Sequence, residues 1–382
     1  VAPISRRSAS GPCPHFGTCG GCAFQDRAYG DALREKQDAL AQSFEKAGVR
    51  AELAPIESAP ERWFYRNRMS FIVGPGPAIG LRKPGRWDEI VDLGTCLLLS
   101  EPAHAVVNAT REFLRTRGIE PYDLRRGSGE ARYLIVREGK NTGQRLVMPI
   151  ARTAGFPFDD FADLVRGLGC TGAALAVHAG PSDVASGEVV RTAGQPLEER
   201  IGGAIFEISP NSFFQPSTRL AERLVEVARA LLCEGTALVD FYCGVGLFAI
   251  ALCDRFARVI GVESDAGAAR DAVRNAARNG AANVEIFAGE IERTLPSIGA
   301  RLTRGTSAVV DPPRSGMRRA AIAALLASPV DTVLYVSCNP ATMARDLAAL
   351  GSAFRIDGPV LSFDSLPWTP HVEVVARLVR KG

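Results

Sequence analysis

Apolar positions recur along the chain in three textures, and each predicts a different kind of element. Between residues 27 and 47, Leu33, Leu40 and Phe44 fall at helical spacing and Gly48 supplies a stop, so an amphipathic helix is expected there. Past Pro55 and Pro60 the apolar runs shorten. Residues 62–73, 78–82, 87–91, 131–137, 145–150, 173–178 and 204–208 read as strands joined by Gly and Pro turns, with helices at 102–117 and 158–168. That mixture predicts an α+β domain on a mainly antiparallel sheet.

From about residue 210 strands and helices alternate. Strands are expected at 237–240, 258–262, 284–287, 307–310, 332–336 and 372–379, and helices at 247–255, 266–279, 318–327 and 341–350. Such alternation predicts an α/β domain with a doubly wound sheet, whose ligands gather at the carboxyl ends of its strands. The chain divides accordingly into a cysteine-bearing loop at 1–26, the helix and its tail at 27–55, a central α+β domain at 56–209 and the α/β domain at 210–382. The helix is expected to pack on the last of these.

With 382 residues and 46% hydrophobic composition, the chain can build two or three cores. No run reaches the roughly 18 apolar residues of a membrane-spanning helix, and the N-terminus is polar, so neither a span nor a signal segment is expected. A cytoplasmic monomer is the expectation. A net charge of +3 is too small to announce nucleic-acid binding, which has to rest on local clustering.

Nine cysteines make an odd number for a disulfide framework and point instead to metal or catalytic roles. Cys13, Cys19 and Cys22 lie close together, and Gly17, Gly20 and Gly21 let the backbone curl so that three sulfurs can face one point. A fourth ligand must come from elsewhere, and Cys96 is the best candidate. Three close cysteines and one distant one are a ligand plan of iron–sulfur clusters; structural zinc more often uses two paired knuckles, and a metal-free loop is the remaining reading. Cys170, Cys233 and Cys253 stand singly in apolar surroundings and read as core. Cys338 sits where an apolar strand gives way to a helix, which makes it either a small core residue or a thiolate nucleophile favoured by the helix N-terminus.

Between 61 and 86, Arg62, Arg66, Arg68, Arg82, Lys83 and Arg86 meet a single acid, Glu61, and are interleaved with Trp63, Phe64, Tyr65 and Phe71. Charge for phosphates and rings for unpaired bases are what an RNA surface needs. A sheet with a solvated basic face and an aromatic core face gives the same spacing, so both readings stand.

In the α/β domain, the strand ending at Asp240 runs into a turn with Gly244 and Gly246, and the next strand ends at Glu263, 19 residues after Gly244. This is the spacing of a nucleotide-binding βαβ unit, in which glycines admit close approach and the acid bonds a ribose hydroxyl. The third glycine of the dinucleotide fingerprint is missing, and Asp240 suits a ligand with a positive amino-acid moiety. S-adenosylmethionine meets both requirements. A later strand ends in Asp311-Pro-Pro-Arg314-Ser-Gly316, whose prolines stiffen a loop with its acid aimed at the crevice. Arg314 replaces the aromatic typical of amine methyltransferases and Cys338 waits on the next strand, a combination that favours methylation at carbon.

With these residues in place the chain resembles the RNA (uracil-5-)-methyltransferase family, which makes 5-methyluridine in tRNA and ribosomal RNA. The resemblance runs over nearly the whole sequence: the Cys13/Cys19/Cys22 loop with Cys96, Tyr65-Arg-Asn-Arg68, Ser212-Phe-Phe-Gln215, Asp240-Phe-Tyr-Cys-Gly-Val-Gly246, Asp311-Pro-Pro-Arg-Ser-Gly316, Ser337-Cys-Asn-Pro340 and His371-Val-Glu373. It implies a Rossmann-like class I S-adenosylmethionine-dependent methyltransferase domain beside the α+β domain. It also implies a 4Fe-4S cluster on Cys13, Cys19, Cys22 and Cys96, as in the cluster-bearing branch. Cofactor contacts are implied for Gln215, Tyr242, Glu263 and Asp311, with Gly244 in the turn, and the catalytic pair is a Cys338 nucleophile and a Glu373 base. The implied partner is RNA with an extruded uridine, ribosomal RNA ahead of tRNA, with Phe213 or Phe214 either holding the base or in the core. Two features depart from the family: Leu247 stands where Asn is usual, and only twelve residues precede Cys13 where many members carry a small β-barrel.

The implied chemistry explains the residue types. Uracil C5 is too weak a nucleophile to take a methyl group from a sulfonium, so a thiolate adds at C6 and converts the ring to an enolate. After transfer, a carboxylate must remove the C5 proton before the thiolate can leave. Glu373 taken alone would read as a surface charge. An RNA cytosine-5-methyltransferase uses the same thiolate logic but usually places cysteines in both loops, and a cluster-bearing RNA-binding protein without catalysis is the alternative from another class.

Overall fold

The computed structural model describes residues 12–382. It forms two compact units. One takes in the chain through Tyr29 with Glu61–Glu199 and Ser209–Asn211; the other takes in Gly30–Pro60, Arg200–Ile208 and Ser212–Gly382.

Helix α1 (Tyr29–Lys46) buries Ala32, Lys36, Leu40 and Phe44, four residues apart. Leu33, expected on this face, lies half-buried at its edge. A lysine therefore occupies a core position that the sequence pattern assigns to an apolar residue.

Among the described residues of the first unit, seven strands form one sheet: β1 (Arg68–Gly74), β2 (Ala78–Lys83), β3 (Arg86–Asp92), β4 (Ala131–Glu138), β5 (Arg145–Ala151), β6 (Gly172–Val177) and β7 (Glu188–Gly194), in the order β3-β2-β1-β4-β5-β6-β7. Neighbours run antiparallel except β5 and β6, which are parallel and joined through α3 (Phe158–Gly167). Helix α2 (Glu101–Thr116) starts at Ser100, whose hydroxyl accepts the Ala103 N–H at 3.2 Å. The strand expected from residue 62 begins only at Arg68. Phe64 adopts a φ of 56°, a left-handed backbone that no ladder accommodates. Strand β7 escaped the sequence reading because its side chains are mostly exposed and show no apolar alternation.

A two-stranded ribbon, β8 (Leu197–Ile201) and β9 (Ala204–Ile208), precedes α4 (Thr218–Leu231). Then follow β10 (Gly235–Phe241), α5 (Leu247–Ala251), β11 (Phe256–Glu263), α6 (Ala266–Arg278), β12 (Val284–Ala288), α7 (Ile291–Ile298), β13 (Thr306–Val310), α8 (Arg319–Ala327), β14 (Val330–Ser337), α9 (Pro340–Leu350), β15 (Phe354–Ile356), β16 (Leu361–Phe363) and β17 (Glu373–Arg380). Their sheet has the order β12-β11-β10-β13-β14-β17-β15, with β16 also beside β17. Strands β10 to β14 are parallel and β17 runs against them. The strand order reverses at β10, which creates the crevice where ligands bind in such sheets. The helix expected at 247–255 stops at Ala251 and passes into a 3-10 turn, Cys253–Arg255.

Val239, Phe241, Ile260, Val262, Val310, Val333, Tyr335 and Met343 share a core with Leu40 and Phe44 of α1. Two of the three cysteines read as core are not: Cys170 is buried, but Cys233 is exposed and Cys253 half-buried. Among the described residues no helix is long and apolar enough to cross a membrane.

Candidate functional site

The segments after β10, β11, β13 and β14 emerge at the carboxyl edge of the second unit's sheet, and β17 starts from the same edge because it runs in the opposite direction. Asp240, on β10, is fully buried; Oδ2 accepts the Ala249 N–H at 2.8 Å and Oδ1 has no partner among the described residues. Burial holds its carboxyl well above the usual range, with Asp311 and Glu263 adding to the effect. Beyond it the chain turns through Tyr242, Gly244 and Gly246 at φ of 63°, 56° and 92°. Glycine is favoured at 246 by that left-handed backbone, and a Cβ there would also press on Ile250 Cδ1 at 2.8 Å. Glu263 braces the turn: Oε2 accepts the Gly244 N–H at 2.9 Å and Oε1 accepts the Asp265 N–H at 2.7 Å. Leu247, the departure from the family pattern, is buried at the start of α5. Buried Asn275 of α6 ties the turn to β9, donating to the carbonyls of Val245 and Glu207, each at 3.0 Å. Sequence reading missed Asn275, whose only signal is an amide on the buried face of an alanine-rich helix.

Asp311 follows β13. Its Oδ2 accepts Gln215 Nε2 at 2.9 Å, and burial pushes the carboxyl up to about 7. Cys338 lies one residue beyond β14. Because Ser337 is opposite Val374 in the antiparallel pairing, the next step of the ladder sets Cys338 beside Glu373. Glu373 is 3% exposed and pairs on its other side with Phe363 of β16. Burial and then Asp311 drive its carboxyl well above the usual range, and Arg314 works against them. Burial and the neighbouring Glu373 raise the Cys338 thiol, whereas Arg314 lowers it by hydrogen bond and charge. One guanidinium thus favours the ionised form of both groups. Nη2 of Arg314 also faces the His371 ring, 2.8 Å from Nδ1 and 3.0 Å from Nε2.

The Arg314 loop is fastened to α9. Asn339 Nδ2 donates to the Arg314 carbonyl at 2.8 Å and Thr342 Oγ1 to the same oxygen at 3.2 Å. Buried Asp346 accepts the Met317 N–H at 2.7 Å and the Tyr335 hydroxyl at 2.6 Å. Gly316, at φ 76°, has no room for a Cβ, which would lie 2.6 Å from Asp346 Oδ2. Of the two adjacent phenylalanines, Phe213 is 61% exposed, while Phe214 is buried against Phe206.

In the first unit, Cys13, Cys19, Cys22 and Cys96 line one small cavity with Phe16, Leu81, Leu93 and Leu98. Burial pushes the Cys19 thiol up to about 11 and the Cys22 thiol up to about 12, and raises Cys96 as well. The Gly21 N–H points at Cys19 Sγ at 3.4 Å, and a Cβ on Gly20 would meet the Arg82 carbonyl oxygen at 2.7 Å. Among the described residues no three His, Cys, Asp or Glu side chains stand in a metal-holding arrangement, so the four thiols share a cavity without forming a ligand sphere.

The basic–aromatic stretch separates into two classes. Tyr65 and Phe71 are core, and Arg66 and Arg68 are half-buried. Arg62 lies over the Tyr29 ring at 3.9 Å, and Lys83 and Arg86 pair with Glu89 and Asp88. Phe64 remains exposed and Trp63 half-buried, so the sheet accounts for only part of the pattern.

The model of a family described as tRNA (uracil-5-)-methyltransferase matches residues 200–381. An uncharacterised RNA methyltransferase of Halalkalibacterium halodurans is 33% identical over 97% of this chain and 83% of its own length. A tRNA (uracil(54)-C(5))-methyltransferase of Pyrococcus horikoshii is 32% identical over 96% of this chain and 85% of its own. Among solved structures, the tRNA (uracil-54, C5)-methyltransferase of Pyrococcus abyssi in complex with S-adenosyl-L-homocysteine superimposes with a TM-score of 0.79 at 30% identity, covering 94% of this chain and 85% of that one.

Proposed function

We propose that this chain, which belongs to the tRNA (uracil-5-)-methyltransferase family, methylates C5 of a uridine in RNA with S-adenosylmethionine as donor, Cys338 as nucleophile and Glu373 as base. The observation that carries the reading is the register of β14 on β17, which sets the thiol beside a buried carboxyl. Arg314 favours the Cys338 thiolate, which adds to uracil C6 and sends the double-bond electrons to O4. The donor supplies an activated methyl group, and C5 attacks it. Glu373, as carboxylate, then takes the C5 proton; the freed electron pair restores the C5–C6 double bond and expels the Cys338 thiolate. One methyl enters and one proton leaves. Gln215, Tyr242, Gly244, Glu263 and Asp311 are the proposed donor contacts, and the donor class is supported by the Pyrococcus abyssi relative, solved in complex with S-adenosyl-L-homocysteine.

Two of these relatives, from Pyrococcus horikoshii and Pyrococcus abyssi, are named for uracil-54 of tRNA. They favour tRNA over the ribosomal RNA expected from the sequence. For the cysteine cavity, four thiols are the donor type of a 4Fe-4S cluster and the Gly21 N–H is directed at Cys19, but a cluster would have to draw the sulfurs into a ligand sphere that they do not form by themselves. Such a cluster on Cys13, Cys19, Cys22 and Cys96 would cross-link the loop, and no step of the methyl transfer needs its electrons. Anaerobically purified protein should carry iron and a broad visible absorption that Cys19→Ser abolishes; stoichiometric zinc without iron would refute it.

The reaction is tested by incubating the protein with S-adenosylmethionine and unmodified tRNA or ribosomal RNA, followed by digestion and mass spectrometry of the nucleosides. 5-Methyluridine is expected, and none from Cys338→Ala. 5-Methylcytidine as the only product, or an unchanged yield from Cys338→Ala, overturns the reading.

A further inference from the structure

Lys36 of α1 is 2% exposed, a rare setting for an ammonium group. It forms an ion pair with Asp364, itself buried, and donates to the carbonyls of His371 at 2.8 Å and Leu366 at 3.3 Å. All three acceptors belong to the segment between β16 and β17, which ends at Glu373. The flanking chain tightens the same segment. Glu57 N–H donates to the Ser362 carbonyl at 2.8 Å and the Asp364 N–H to the Glu57 carbonyl at 2.9 Å, while Gln37, the neighbour of Lys36, accepts the Ile56 N–H at 2.9 Å. A charge this deep is costly to bury unless its donors are satisfied, and a hydrophobic residue would fill the α1 stripe at less expense. Its three bonds fix both ends of the irregular stretch that delivers Glu373 to Cys338.

We infer that Lys36 is a positioning residue for Glu373, holding the 364–371 segment so that the carboxylate meets the C5 proton of the methylated adduct. The inference rests on the proposed base role of Glu373. Addition by Cys338 depends far less on Lys36, because the Arg314 loop is fastened independently by Asn339, Thr342 and Asp346. Loss of Lys36 therefore falls on proton removal, after the covalent bond has formed.

That order gives a readout that simple loss of stability does not. If the C5 proton is not removed, Cys338 cannot be expelled, and a protein–RNA adduct that survives denaturation accumulates on ordinary uridine RNA. Lys36→Met leaves Asp364 buried without its partner and risks misfolding, so the decisive variant is Lys36→Met with Asp364→Asn, which removes both charges. Near-ultraviolet circular dichroism checks its packing, and Lys36→Arg tests retention of the charge. The double variant should lose at least about tenfold in turnover while adduct on tRNA rises above wild type, as it should in Glu373→Gln, and Lys36→Arg should recover part of the rate. Wild-type turnover in the folded double variant, or lost turnover without adduct while Glu373→Gln accumulates it, overturns the role of Lys36. Absence of adduct in Glu373→Gln overturns the base assignment and the inference with it.

Discussion

Asp311 and Gln215 show how a single hydrogen bond is set against burial. The Gln215 amide stabilises the carboxylate and burial opposes it, leaving the group to titrate at about 7. If Asp311 contacts the positively charged donor, the sign of the pH dependence follows. Below the raised pKa the carboxyl is neutral and offers the donor no charge; above it the carboxylate attracts a cation. Affinity for S-adenosylmethionine, measured by calorimetry, should rise severalfold from about pH 6 to about pH 8, and Asp311→Asn should bind weakly with a flat profile. Wild-type protein with a flat profile would exclude Asp311 from the donor site. Cys338 and Glu373 are raised in the same direction, so turnover should also climb with pH on the alkaline side of neutrality.

Helix α9 holds the Arg314 loop through Asn339 and Thr342. Asp346 is fully buried and accepts from Met317 and Tyr335, which fastens the loop to the strand that leads to Cys338. Asp346→Ala would strand two buried donors and should cost roughly 3–5 kcal/mol, whereas Tyr335→Phe removes one donor and should cost about 1 kcal/mol. Urea denaturation of the two variants checks the order, and equal losses would show that the Met317 bond contributes nothing. The sequence displays Asp311-Pro-Pro-Arg314 and Cys338 as motifs because rigid prolines and a strand-end cysteine are local features. Asp346 and Asn275 have no such mark; each reads as an ordinary polar residue in a helix until the fold brings a remote backbone group to it.

The same contrast holds for the molecule as a whole. Alternation of strand and helix made the β10 to β14 core legible, and spacing made the Gly244 turn and Glu263 legible, because each is written within one βαβ unit. What stayed hidden was long-range. Nothing near residue 36 indicates that its side chain is bonded more than 300 positions away, and the clue, a lysine four residues from Ala32 and Leu40 on one helical face, acquires meaning only when that face is covered. The family model begins at residue 200, yet the unit that holds the proposed catalytic pair also contains Gly30–Pro60. Leu40 and Phe44 are buried in its core, with Leu53 and Ile56 packed against it. Full burial of Leu40 and Phe44 alone contributes about 3–6 kcal/mol, and the partly buried Leu53 and Ile56 add to it, which brings the sum within the range of an entire domain's stability. A fragment of residues 200–382 should therefore lack a cooperative unfolding transition and bind a hydrophobic dye, and supplying residues 30–60 in trans or by fusion should restore the transition. A sharp transition from the shorter fragment alone would mean that the N-terminal segment is dispensable for this core, and that its service is confined to holding Glu373.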